Sequence, residues 1–236
     1  MFLSAPSIVT AEDQNVAEEK IRELNDLMEV RKKILDQVFN PDRFVGKNGN
    51  YSQPIIGVVY TGDDWAWPVY ATGIFRGCRK PISEDYSGPC EPEFWALKLS
   101  AATNSGTGRP RHAGSRLTQN VYELLQSSTA TTIDEAMSRV NTDWQFTTFS
   151  MCPSAQLALD DLGTIDLDIA ALKKHSGHYL HSDYVTIKIK HAQQSITVKS
   201  PVNDPFGKWA TALDEALQYC WQPAKLPKPW ELNEKE

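Results

Sequence analysis

Three of the five histidines in this 236-residue chain fall within seven residues, His175, His178 and His181, and Asp183 follows two positions later. Neutral imidazoles are good ligands for zinc and other borderline metals, and carboxylates extend that donor set. If the four converge at a strand mouth they could hold zinc or another transition metal with one position open to water. Activation of that water would make the chain a metal-dependent hydrolase. The His-x2-His-x2-His spacing matches no established zinc signature, and Gly177 interrupts any single helix face carrying all three. A plainer reading places His175 at a helix C-terminus, where the dipole favours a cation, and leaves the others solvated in a turn.

The second group of chemical interest is basic. Thr103 to Arg116 is a glycine-rich stretch carrying Arg109, Arg111, His112 and Arg116 in a chain whose net charge is -6. Guanidinium groups on such a loop could grip phosphates, and Arg76, Arg79 and Lys80 from another segment could enlarge the patch. Trp65, Trp67 and Tyr70 could offer stacking faces to the unpaired bases of RNA or single-stranded DNA. The alternative is a solvated loop with the tryptophans turned inward.

Acidic groups cluster at Asp63–Asp64, between Glu84 and Glu93, and between Asp160 and Asp168, without the order of an EF-hand loop. Turn and cap roles suit them better, although Glu93 with Lys98 faintly suggests a nuclease-like carboxylate and lysine. The chain has no nucleophile elbow, no phosphate-binding lysine loop and no dinucleotide glycine motif. Cys152, beside Pro153, reads as a packing residue rather than a nucleophile.

Composition bounds the class of protein. With 41% hydrophobic and 23% charged residues the chain can bury a substantial core. The expectation is one α+β domain over residues 1–236, with a short flexible N-terminus at 1–9 and a proline-rich C-terminal arm at 223–236. No run approaches the apolar length of a membrane span, and the first residues lack the pattern of a signal peptide, so the expectation is an intracellular, cytoplasmic protein. Cys78, Cys90, Cys152 and Cys220 are dispersed, which points to reduced thiols. The acidic balance leaves nucleic-acid binding to a local patch.

The elements that must position these residues follow from periodicity. A long helix is predicted from Ala11 to Phe39, opened by Thr10 with Asp13 and stopped by Asn40–Pro41. Its apolar positions Ala17, Ile21, Leu24, Met28, Leu35 and Val38 predict one buried stripe. A dimerising coiled coil is the sharper alternative. Strands are expected at Ile55–Tyr60, Trp65–Phe75, Phe94–Leu99 and Trp144–Met151, with short helices at Gln119–Gln126, Ile133–Val140 and Ile169–Lys174. The clearest unit is the last, in which Tyr184–Lys190 alternates, Ile196–Lys199 returns, and a helix runs from Pro205 to Tyr219. Its residues Val185, Ile187 and Ile189 should share a buried face with Leu213 and Leu217. The fold class is therefore α+β, a mainly antiparallel sheet packed by a long N-terminal helix and a C-terminal helix.

No catalytic motif emerges, while a long helix, a proline-rich tail and seven tryptophans offer binding surface. The leading functional expectation is accordingly a noncatalytic interaction or accessory subunit of a larger assembly, with a protein partner. A nucleic-acid-binding or processing protein is the alternative, and the metal-dependent hydrolase the third.

Overall fold

The structure, a computed structural model, describes residues 11–44, 54–62, 67–78, 92–101, 113–165, 183–191 and 194–224. Its centre is a seven-stranded sheet in which every pairing is antiparallel. The strands are β1 (Ile56–Gly62), β2 (Trp67–Cys78), β3 (Pro92–Ala101), β4 (Thr142–Thr148), β5 (Tyr184–His191), β6 (Gln194–Pro201) and β7 (Gln222–Pro223). Their spatial order is β6-β5-β1-β2-β3-β4-β7. The helices among the described residues are α1 (Ala11–Gln37), α2 (Ala113–Gln126), α3 (Ile133–Ser138), α4 (Pro153–Asp161) and α5 (Pro205–Leu217).

Strand period two sends alternate residues to opposite faces, and both faces are covered. On one, Phe75, Trp95, Leu97 and Leu99 pack with Val30 and Ile34 of α1, Val38 just after it, and Leu117 and Val121 of α2. On the other, Ile56, Val58, Ile74, Val185 and Ile187 pack with Leu213 and Leu217 of α5 and Ala155 of α4. Ile189 packs against that second core while remaining partly buried, so the shared face expected of the last unit is present. The predicted α+β architecture holds, with helices on both sides of the sheet.

Local signals formed the elements they promised. Thr132 caps α3 by accepting from the Glu135 amide at 3.1 Å, and the Glu135 carboxylate reaches back to the Thr131 amide at 2.8 Å. Those bonds hold the Glu135 carboxyl below its ordinary range, with the Arg139 charge adding to the effect. Asn40 ends α1 and caps the 3-10 turn Pro41–Arg43, accepting from the Asp42 amide at 3.1 Å. Asp42 then meets Lys188 at 2.5 Å and Lys190 at 2.7 Å, pinning the end of α1 to β5. Burial would raise its pKa, but the two lysines outweigh that and hold it below the ordinary value.

Two glycines seat helices on the sheet. A Cβ on Gly114 would lie 1.6 Å from the Pro68 carbonyl oxygen, and one on Gly207 2.0 Å from that of Pro201. Only a residue without a side chain lets α2 start against β2, and α5 against the end of β6. The glycine that closes the basic loop therefore has a packing reason to be there.

Several expectations need correction. The stripe of α1 is not buried throughout, because Ile21 and Leu24 are 60% and 44% exposed while Ile34 and Val38 are fully buried. Burial begins near Val30, where the helix meets α2 and the sheet. Residues Phe149–Met151 turn as a 3-10 segment instead of prolonging β4, and Pro153 opens α4, which the alternation analysis passed over. The arm expected from Pro223 begins as an edge strand, with β7 pairing to β4. Cys152 and Cys220 are joined as a disulfide, their Cα atoms 5.9 Å apart, so these two are not the reduced thiols expected. The bond ties the start of α4 to the residues just after α5. No helix among the described residues is long and apolar enough to cross a membrane.

Candidate functional site

The second sheet face changes character along its strands. The row Ile189–Ile56–Ile74–Ala96 is apolar and lies under α4 and α5. Two rows on, the register aligns Val185, Tyr60, Tyr70, Ser100 and Asp143, and the intervening row ends in Lys98 and Gln145. Over this polar end α5 presents Lys208, Thr211, Asp214 and Glu215. Between them lies a cleft of about 1000 Å³. A cleft lined on one side by a rigid sheet and on the other by a helix is well suited to holding a ligand.

Its floor is tightly organised. Lys98, with 12% of its side chain exposed, forms an ion pair with Asp214. The Lys98 ammonium also lies 4.2 Å from the centroid of the Tyr70 ring, which stacks on Tyr60 at 5.2 Å. The Tyr60 hydroxyl donates to the Asp183 carboxylate at 2.6 Å. Tyr70 is thus held between a cation and a second ring, and burial, aided by the charge of Asp214, pushes its phenol well above the ordinary pKa. At neutral pH it is a hydroxyl that can donate or accept.

The residues singled out from the sequence are distributed as follows. Asp183 stands at the entry to β5 and is the acceptor for Tyr60. His175, His178 and His181 lie outside the described residues, and so do Arg109, Arg111, His112, Arg79, Lys80 and Trp65. Arg116 is exposed on α2, beside the start of β2. Arg76 lies eight residues along β2 from Pro68, roughly 25 Å at strand rise, and alternates onto the face away from α2. The structure therefore does not bring Arg76 and Arg116 together. Trp67 is buried and Tyr70 is enclosed in the cleft, so neither offers an open stacking face. Glu93 and Lys98 point to opposite faces of β3, and Glu93 accepts from Ser150 at 2.7 Å. Among the described residues, no group of three or more His, Cys, Asp or Glu is placed to hold a metal ion.

Sequence reasoning missed the cleft. The available signal was Lys98 and Ser100 alternating with Leu97 and Leu99, a strand with one apolar face and one charged face.

A second exposed feature lies at the other side of the molecule. The N-terminal half of α1 carries Val16, Ile21 and Leu24, which are 46%, 60% and 44% exposed. They continue the stripe that is buried from Val30 onward, so one amphipathic helix runs from the core out into solvent. No family model, no curated protein and no solved structure matches this chain.

Proposed function

We propose that the chain is a noncatalytic interaction subunit of a larger assembly, and that the projecting half of α1 engages the partner. The observation that carries this reading is the exposed stripe Val16, Ile21 and Leu24 on a helix whose other half is anchored in the core. Burying such side chains is worth about 1.5–3 kcal/mol each, which a partner helix laid along the stripe would recover.

Charge argues for a different chain as the occupant. Between Val16 and Glu29 the helix has Glu18, Glu19, Glu23, Asp26 and Glu29 against Lys20 and Arg22. Two copies laid together would set acidic flanks against one another. An amphipathic helix with Lys and Arg beside its apolar stripe complements them. This reading replaces the self-pairing coiled coil considered from the sequence.

The test is a photo-crosslinking residue at Asn25, which is exposed, in protein expressed in its native host. The expected product is one major adduct mapping to a basic-flanked amphipathic helix of another protein. It should be lost when Ile21 and Leu24 are both changed to glutamine, while thermal stability moves little because both are exposed. Adducts only between copies of this chain, or an adduct unchanged by the double substitution, would overturn the proposal.

A further inference from the structure

Strand β6 ends the sheet with its outer backbone exposed. The Val202 amide donates to the Asp183 carbonyl at 3.2 Å, and on the other side of β5 the Lys190 amide donates to the Ile55 carbonyl at 2.7 Å. With Tyr184 opposite Pro201 and Ile189 opposite Ile196, alternation along the ladder makes Ile196, Val198 and Ser200 the residues that bond to β5. Ser195, Thr197 and Lys199 therefore turn their amides and carbonyls outward, and all three residues are exposed. No described strand pairs with that side of β6.

Proteins usually guard such an edge with charge, proline or a very short strand. The opposite edge of this sheet is guarded in that way. There β7 has two residues, and because the Ala224 amide donates to the Trp144 carbonyl, the residue facing outward is Pro223, which has no amide. On β6 the guards, Lys199 and Pro201, stand at one end, and residues 194–198 carry neither charge nor proline. Lys199 is also turned back over β5, its ammonium 4.9 Å from the centroid of the Tyr184 ring. Ile196 is 53% exposed, although it shares a face with Val198, which packs against the second core.

We infer that β6 pairs with β6 of a second copy of this chain, antiparallel about a two-fold axis at Thr197, so that two sheets join into one. This contact is separate from the α1 stripe and does not rest on it. The register sets Thr197 opposite Thr197, Ser195 opposite Lys199 and Ile196 opposite Val198 of the second copy. The three outward residues of each copy then exchange both backbone hydrogen bonds with their opposites. Ile196 gains an apolar cross-strand neighbour at the margin of the second core, and the only charge on β6 meets a serine instead of another lysine. Pairing of β6 with β7 of another copy would run on into a filament, but Pro223 opposes it, so the contact closes as a dimer.

The test is sedimentation velocity of the full chain between about 5 and 500 µM, since a contact between two strands lies at the small, weak end of interfaces. A reversible shift from monomer to dimer is expected. Hydrogen exchange resolved to single amides should show Ser195, Thr197 and Lys199 becoming protected as the dimer fills. Thr197→Pro removes an outward amide without touching the β5 ladder and should abolish the dimer. Thr197→Lys sets like charges opposite each other and should weaken it several-fold. Thermal unfolding should change little in Thr197→Lys, the position being exposed. Ile21→Gln with Leu24→Gln on α1 should leave the dimer intact. A chain that stays monomeric throughout, with those amides unprotected, overturns the inference and leaves the edge to a strand of another protein. A dimer that survives either change at Thr197, or one that the α1 change dissolves, overturns it as well.

Discussion

Reduction of the Cys152–Cys220 disulfide is the perturbation whose cost can be worked most directly from the structure. The bond closes a chain segment with a sequence separation of 68, which contains α4, β5, β6 and all of α5. In the chain-entropy account, a loop of that length restricts the unfolded ensemble by about 4 kcal/mol at 25 °C. Native contacts should survive reduction, because Cys152 is buried among Phe149, Ala155 and Leu217 whether or not the bond exists. The reduced protein should therefore stay folded but lose a large part of a stability that is typically about 5–15 kcal/mol. The assay is urea unfolding followed by tryptophan fluorescence, with and without a phosphine reductant, and thiol alkylation with mass spectrometry to assign the bond. With a slope of about 3 kcal/mol per molar urea, the midpoint should fall by roughly 1.5 M. Cys152→Ala with Cys220→Ala should reproduce the shift and abolish the effect of reductant. If alkylation shows both thiols free in protein purified without reductant, or if proven reduction moves the midpoint by less than about 0.3 M, the pairing or the entropic argument is wrong.

Leu217→Ala should cost about 2–5 kcal/mol, since Leu217 is 1% exposed in the core beneath α5; a loss under half a kilocalorie in the same urea assay would refute that packing. Asp42 titrates below its ordinary value when folded, so its pairs with Lys188 and Lys190 contribute stability above about pH 4 that is lost as the pH falls through the folded pKa. Asp42→Asn should flatten that part of the acid limb by at most about 1 kcal/mol, the site being partly open to solvent, and an unchanged acid limb in pH-dependent unfolding would dismiss the pairs.

Much of the architecture was legible because it rests on local periodicity. The alternation of Tyr184–Lys190, the three- and four-residue steps of α1 and the Thr132–Glu135 cap each form from near neighbours, and each is found where the pattern places it. α4 escaped because it is only nine residues long and the exposed Leu157 blurs the face that Ala155, Ala158 and Leu159 pack against the second core. The antiparallel sheet could be inferred as a class, but its order could not. Placing β5 beside β1, more than a hundred residues earlier, depends on contacts that no local window contains.

The amino-acid sequence by itself determined which segments become helices and strands, because 3.6- and 2-residue repeats act over short range. Tertiary structure alone decided which half of α1 is buried, since the stripe is apolar on both sides of its interruption at Arg31 and only α2 and the sheet cover part of it. It also decided the cysteine pairing across 68 positions, a choice that dispersed cysteines leave open. Most of all it made the cleft, by aligning Tyr60, Tyr70, Ser100 and Asp143 from four strands in one row and setting Asp214 of α5 against Lys98. Apart from Lys98 and Ser100 on β3, those residues stand ten or more positions apart in the chain, so their chemistry exists only once the sheet has closed.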